Sequence, residues 1–530
     1  MWDGACARHS ASSGRDKRSD HADAGMRIDF DGLFARAPFA RSGFPRMPTI
    51  VGGALVATSH PAATRAGVRA LEQGGNAIDA ALAAAACLTV CEPTDNGVGG
   101  DAFSLVWHGG KLHGLNGSGR SPMRMPERVV EEFGPRSCTT PGAVRAWADL
   151  AARFGKLGLD RALAPAIDLA ENGVAAGARV AHRWQRALEQ GRSPWPPPAA
   201  GQLYTLPDLA RTLRRIAEQG PAGLYEGPVA AAIAEATWLE GDDLSAHRSE
   251  WVEPLRSGHR GLEVCEIPPN GSGCAALMAL GIYDGLERED PVGRLHAQIE
   301  AMKLAFADAR RYVFDGPLPA FLLDPEQLAA RRELISSTAT SDHVPSAVPY
   351  SNTTYLCAVD EDRNAISHIQ SLYQFFGSGV LAGDTGVVLQ NRSFGFSPDP
   401  EHPNCIAPGK RPFHTIIPGM LLEDGELLGP FGIMGGPMQP QAHLQFVSHL
   451  VDGADPQGAL DCGRFRVLEG REVALEPGLW QYADELRALG HEPVLDEDVH
   501  PFGVGQAILA VGDALVAGSD PRGDGQAAGY

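Results

Sequence analysis

Threonine is a poor nucleophile unless a base takes its hydroxyl proton, and at Asn352-Thr353-Thr354 the chain can supply that base itself. If the peptide bond before Thr353 is cut, the freed α-amino group lies next to the hydroxyl and can accept the proton. The flanks suit such a cut. Residues 339–350, ATSDHVPSAVPY, are small, polar and proline-containing, the composition of a loop. Residues 355–359 and 364–370 read as two strands around the acidic turn Asp360-Glu-Asp-Arg363. Thr353 is therefore expected where a loop enters a sheet. Threonines also begin ordinary strands, because β-branched side chains suit them. Two threonines alone do not separate these readings.

The elements that must hold such a residue follow from periodicity and punctuation. Ordered structure is expected from about Thr49, with 1–48 a disordered leader or a non-native start. A strand at 54–58 leads to a helix at 60–73, with Pro61 in its first turn and Gly74-Gly75 as its stop. Asn76 can cap a second helix, 77–90, which is apolar nearly all round and so belongs inside the protein. Glycines at 97, 99 and 100 precede a strand at 102–108. Helical pattern fills 140–192, ends at the loop Ser193-Pro-Trp-Pro-Pro-Pro198, and resumes over 206–236 with a break at Gly220-Pro221. A strand at 262–267 and a long helix at 294–314 follow. Beyond Thr353, short strands are predicted at 354–359, 364–370, 387–390, 415–417 and 420–422, with helices near 441–451 and 478–488. Helices first and strands later point to an α+β protein with helices packed on stacked sheets.

Composition excludes several classes. The 530 residues are 44% hydrophobic and 21% charged, enough to build more than one core. A formal charge of −20 argues against nucleic acid and anionic membranes as partners. No apolar run approaches the roughly 18 residues of a membrane span, and the first 46 residues lack the apolar core of a secretory signal, so the expected location is the cytoplasm. The nine cysteines are scattered, with no CxxC, and read as buried thiols. None of the 17 histidines forms HExxH, so no metal or other cofactor is expected.

The segment from His60 to Phe103, HPAATRAGVRALEQGGNAIDAALAAAACLTVCEPTDNGVGGDAF, resembles the opening of the gamma-glutamyltransferase (gamma-glutamyltranspeptidase) family. Thr140-Pro-Gly142, Ile267-Pro-Pro269, Asn352-Thr-Thr354, Phe376-Gly-Ser-Gly379, Pro408-Gly-Lys-Arg-Pro412 and Met434-Gly-Gly436 occur in the family's order. Each is weak alone; their colinearity over about 49–525 is specific. The resemblance implies a four-layer αββα sandwich, the N-terminal-nucleophile hydrolase fold. It implies a precursor that cleaves itself between Asn352 and Thr353 into a large chain, 49–352, and a small catalytic chain, 353–530, intertwined as each other's partners, with homo-oligomers of such heterodimers open. Thr353 matches the nucleophile, Gly435 and Gly436 the pair that stabilises the oxyanion, and Ser371 a hydroxyl beside the nucleophile.

The departures lie where glutathione-using members hold the glutamyl group. Ser118 stands at the position of the arginine that binds the α-carboxylate, with Arg120 two residues on; Tyr373 replaces an asparagine. The acidic residue for the α-amino group is expected near Gly395, and a Ser-Ser pair is replaced by His414-Thr415. An ammonium buried without a counter-charge costs several kcal/mol, on the order of 3–5. The expected substrate is therefore a small carboxylate-bearing amide, as in the oxamate amidohydrolase-like branch. Arg120, Arg392, Arg411 and His414 are the candidates to bind the carboxylate, each equally open to a structural ion pair. A glutathione hydrolase, a cephalosporin or glutaryl acylase-like enzyme, and an uncleaved scaffold with a dead site stay open. Gly271-Ser-Gly273 and Gly377-Ser-Gly379 do not form GxSxG, and Gly97-Val-Gly-Gly100 lacks the lysine of a phosphate loop.

Overall fold

The computed structural model describes residues 50–125, 127–286, 290–340 and 352–530. The expected leader, and all of the upstream flank except Ala339 and Thr340, lie outside these residues. Two antiparallel seven-stranded sheets form the centre. In the first, the order is Ile50–Gly52, Ala514–Ser519, Val504–Val511, Glu426–Met434, Gly419–Glu423, Leu262–Glu266 and Leu255–His259. In the second it is Gln526–Gly529, Leu55–Thr58, Asn352–Val359, Ala365–Tyr373, Asp101–His108, Lys111–Gly117 and Glu250–Val252. Each sheet thus mixes strands from before and after residue 353. Cutting there would leave two interlaced chains rather than two domains.

The layers follow from burial on both faces of each sheet. Leu55, Leu105, Ile267, Tyr355, Met420 and Ile508 fill the space between the sheets. The outer face of the second sheet carries the helices Pro61–Glu72, Ala77–Cys91, Ala143–Phe154 and Leu159–Asn172. The outer face of the first carries Gly273–Tyr283, Pro291–Tyr312 and Met438–Val451. The result is the four-layer αββα sandwich of N-terminal-nucleophile hydrolases. Every residue of Ala77–Cys91 is buried, as its all-round apolar pattern requires, and Asn76 closes a capping box with Asp79. Among the described residues no helix is long and apolar enough to cross a membrane. The eight described cysteines are unbridged, seven of them buried.

Two short strands expected from apolar runs do not form. Residues 387–390 make only isolated bridges, Leu381 with Val388 and Gly99 with Leu389, and near 415–417 there is one bridge, Gly271 with His414. Both runs are apolar because they are buried around the site, not because they join a ladder. Conversely, the strands Glu426–Met434, Val504–Val511 and Ala514–Ser519 escaped the sequence reading. In the first, Gly429, Pro430 and Gly432 mimic a turn. The helix expected at 478–488 is a 3-10 segment, Pro477–Tyr482, followed by the short helix Ala483–Ala488.

Candidate active site

The strand Asn352–Val359 carries an irregularity where the chemistry is expected. Asn352 pairs with Tyr373 and Thr354 with Gln370, so the register slips across Thr353. A bulge re-aims the extra side chain and bends the strand. Thr353 is buried, and its Oγ1 lies 3.4 Å from Ser371 Oγ on the neighbouring strand. Ser371 Oγ in turn accepts the Tyr373 N–H at 2.7 Å. Tyr373 has φ +81°, a left-handed conformation that a bulky residue adopts only under constraint.

A connected set of side chains continues from there. The Arg392 guanidinium lies 4.5 Å from the centre of the Tyr373 ring, and its Nη1 donates to Thr415 Oγ1 at 3.0 Å. Arg392 is buried, and its Nε and Nη2 have no hydrogen-bond partner among the described residues. Burial lowers its pKa to about 10, opposed by the nearby Asp101 and Tyr373, so it stays cationic at neutral pH. His414 Nε2 lies 3.2 Å from Asp101 Oδ2. Burial, with Arg392 and Arg411 close by, holds His414 well below its usual range and therefore neutral. Its one ring N–H is then directed at Asp101. Asp101 itself sits opposite Ser371 on the adjoining strand. Burial raises its carboxyl to about 7, against the pull of Arg392.

The other predicted residues are placed differently. Ser118 Oγ is buried against Asn116 Oδ1 at 2.7 Å, and its carbonyl accepts Arg411 Nε at 3.1 Å. Arg411 also pairs with Glu250 at 2.9 Å. Arg120 reaches Glu250 at 2.8 Å and Asp315 at 3.1 Å, so protein carboxylates already occupy its fork. Gly395, in the 3-10 turn Arg392–Gly395, has no room for the acidic side chain of glutathione enzymes: a Cβ there would lie 2.6 Å from the Phe413 carbonyl oxygen.

Gly435 and Gly436 join the strand Glu426–Met434 to the helix Met438–Val451, with φ of +129° and +59°. Those values favour glycine, and they bring backbone to the site without a side chain in the way. The helix is fixed by His443, whose Nδ1 lies 2.6 Å from Glu266 Oε1 on the strand Leu262–Glu266. Gly435 and Thr353 line one small cleft together with Arg183 and His500. Gly435 also borders a larger cleft of about 620 Å³, where it is joined by Thr415, Gly395, Phe396 and Phe413.

The Gly97–Gly100 turn is buried beneath Ser371, where a Cβ on Gly100 would come within 2.5 Å of the Ser371 carbonyl oxygen. It packs protein backbone and has no space for a phosphate. Away from the site, His296, Glu300 and His491 cluster within metal-ligand reach. Glu300 already holds Lys303 at 2.8 Å and the Thr340 N–H at 3.2 Å, so the group reads as a buried polar network. Sequence reasoning did not single out Asp101, Arg183 or His500. Asp101 at least follows the 97–100 glycines directly; Arg183 and His500 meet only through the fold.

The gamma-glutamyltranspeptidase family model matches residues 63–530. The chain belongs to this family. It is a hydrolase acting on amide C–N bonds. It is 35% identical to the glutathione hydrolase-like YwrD proenzyme of Bacillus subtilis, covering 90% of this chain and 98% of that one. With the oxamate amidohydrolase proenzyme of Klebsiella pneumoniae the identity is 34%, again over 90% and 98%. The crystal structure of a cephalosporin acylase from Bacillus halodurans superposes with a TM-score of 0.87 at 41% identity, covering 93% of this chain and 99% of that one.

Proposed function

We propose that the protein is a self-processing amidohydrolase whose substrate is a small amide bearing a carboxylate, such as oxamate. Maturation would begin with attack of Thr353 Oγ1 on the Asn352 carbonyl carbon. The C–N bond breaks, the Thr353 nitrogen is released as an amine, and water opens the resulting ester to leave a carboxylate on Asn352. In turnover the new α-amino group takes the hydroxyl proton as Thr353 attacks the substrate carbonyl. It returns that proton to the departing amine, and water then hydrolyses the acyl ester. The N–H groups of Gly435 and Gly436 would hold the oxyanion, with the positive end of the helix Met438–Val451 behind them. Ser371 would steady the nucleophile. A cytoplasmic location and a heterodimer of the two chains belong to the same proposal.

One observation supports the substrate reading: Arg392 keeps two buried donors with no partner among the described residues, next to Thr415 and linked to Thr353 through Tyr373 and Ser371. Buried unsatisfied donors are destabilising, and a planar carboxylate would satisfy both at once. Arg120 already serves protein carboxylates, Arg411 pairs with Glu250 and keeps a single buried donor, Nη2, unpartnered among the described residues, and His414 serves Asp101. The closed backbone at Gly395 supports the loss of an ammonium site. The Klebsiella relative named for oxamate fits this reading.

A second reading has its own support. The cleft beside Thr415 is far larger than oxamate needs, and Phe306, Phe396, Phe413 and Val467 line it. A longer acyl group ending in a carboxylate would fill it, and the similarity to a structure named for a cephalosporin acylase fits a substrate larger than oxamate. Initial rates of the matured enzyme on oxamate, a glutaryl amide and glutathione decide between these. Oxamate turnover above that of glutathione supports the proposal; efficient use of glutathione alone overturns it. Electrophoresis showing a single uncut chain would favour the inactive scaffold.

A further inference from the structure

We infer that Asp101 sets which amides the enzyme accepts: it is the counter-charge of Arg392 in the substrate-free protein, and it takes up a proton when a substrate carboxylate arrives, so that acids bind with one proton and neutral amides with none. The inference rests on the proposed reading of Arg392 as the carboxylate site. No step of the proposed mechanism uses Asp101, although it is fully buried beside both partners. In the sheet it pairs with Ser371, whose Oγ lies 3.4 Å from Thr353 Oγ1. Its carboxylate meets His414, and the next residue, Thr415, accepts from Arg392.

Asp101 carries a buried charge that no cation touches. Its Oδ1 accepts the Gly119 N–H at 3.2 Å, and the N–H of Gly142 adds to it. Its Oδ2 accepts from His414, which is neutral. Among the described residues it makes no ion pair with an arginine, and Arg411 is taken by Glu250. Arg392 is the converse: a buried cation whose Nε and Nη2 have no hydrogen-bond partner among the described residues. The two act on each other through space, each drawing the other toward its charged form. One anion per buried cation is favourable in such surroundings, and two are not. A carboxylate on the Arg392 fork is the nearer counter-charge. Asp101 then becomes the second anion beside one cation, and like charges disfavour ionisation. A solvent proton joins the Asp101 carboxylate as the substrate carboxylate enters, so the net charge of the pocket is the same before and after.

The groups around Asp101 leave this titration to it. Burial raises its carboxyl to about 7, against the pull of Arg392 and Arg411 and the N–H groups of Gly119 and Gly142. Tyr225, which also feels Asp101, is pushed up by burial and stays neutral. His414 is held down by burial and by the two arginines, and Arg392 stays cationic. Coupling of this kind is reciprocal. If the substrate carboxylate lifts Asp101 from about 7 to about 9, protonated Asp101 holds that carboxylate about a hundredfold more tightly than ionised Asp101 does.

The ratio of kcat/KM for oxamate to that for oxamide, followed over about pH 6 to 9, tests this, because the α-amino ionisation of Thr353 is common to both amides and cancels. In the wild type the ratio should be level at the acid end and fall about fiftyfold by about pH 9. Asp101→Asn, of the same size but unable to titrate, should hold the ratio level and exceed the wild type about fiftyfold at the alkaline end. Arg392→Met should leave it level and low. A spectroscopic readout needs no variant: on adding oxalate to the wild type near pH 8, the infrared difference spectrum should gain the carbonyl band of a neutral carboxylic acid. An oxamate preference independent of pH, a fall that survives in Asp101→Asn, or oxalate binding without that band overturns the inference and leaves the reading of Arg392 standing. A ratio untouched by Arg392→Met refutes that reading, and the inference with it.

Discussion

Replacing Arg392 by methionine sets function and stability against each other. In the substrate-free protein the change removes the hydrogen bond to Thr415 Oγ1 and the contact with the Tyr373 ring. Together these contribute about 1–3 kcal/mol. It also removes two buried donors that have no partner among the described residues. Each costs about 1–3 kcal/mol while unsatisfied, so the pair outweighs the lost contacts by roughly 1–3 kcal/mol. The melting temperature should therefore not fall, and should rise by no more than roughly 5 °C. Catalysis has no such compensation. A substrate carboxylate entering a buried site with no counter-charge loses about 3–5 kcal/mol. At roughly 1.4 kcal/mol per decade, kcat/KM on oxamate should fall by about two to four decades. Arg392→Lys keeps the charge but loses the fork, and should fall between. Ammonia release and thermal melting, measured on the same preparations, read both quantities. A variant within threefold of wild-type kcat/KM would refute the assignment, as would a loss of activity that merely follows a collapse in stability.

Thr353→Ala should remain uncut and inactive, and Thr353→Ser should still be processed, as read by electrophoresis and amide hydrolysis. Activity should rise with pH through one ionisation, that of an α-amino group with a reference pKa near ~8. His500 lines the same cleft, and burial holds it below the histidine range, so His500→Gln should leave that ionisation in place. Loss of the pH dependence in this variant would transfer the base role to the imidazole. Asp101 gives a stability test with a defined sign. Burial raises it from 3.8 to about 7, so the folded state binds its proton more tightly. That contribution is fully present below pH 3.8 and is lost as the pH rises through 7. Asp101→Asn should therefore flatten the decline in urea midpoint over this window; an unchanged decline assigns it to other groups.

How much of this was legible depends on what each feature needs. The buried helix Ala77–Cys91 shows in local composition, because an alanine-rich run without a polar face has nowhere else to go. The strands on either side of Asp360 show in two short apolar runs separated by an acidic turn. The family motifs locate Thr353, Gly435 and Gly436 because each depends on a short local segment. The bulge at Thr353 is invisible locally, since a register slip exists only against a partner strand. The state of Arg392 is likewise non-local. Four arginine or histidine side chains looked equivalent, and only their partners separate Arg392 from Arg120, Arg411 and His414. Arg183 and His500 carry no shared motif and meet only once the sheets are stacked. Residues 387–390 misled because burial around a site and burial in a ladder leave the same apolar trace.

The identity of the new N-terminus tests the role of Thr353 most directly. Purified protein should resolve into two chains, with the smaller reading Thr-Thr-Tyr-Leu by N-terminal sequencing. Rapid quench with a slow amide substrate should then place the acyl mass on Thr353 within that chain. A single intact chain with full amidase activity, or an acyl adduct on any other residue, would contradict it.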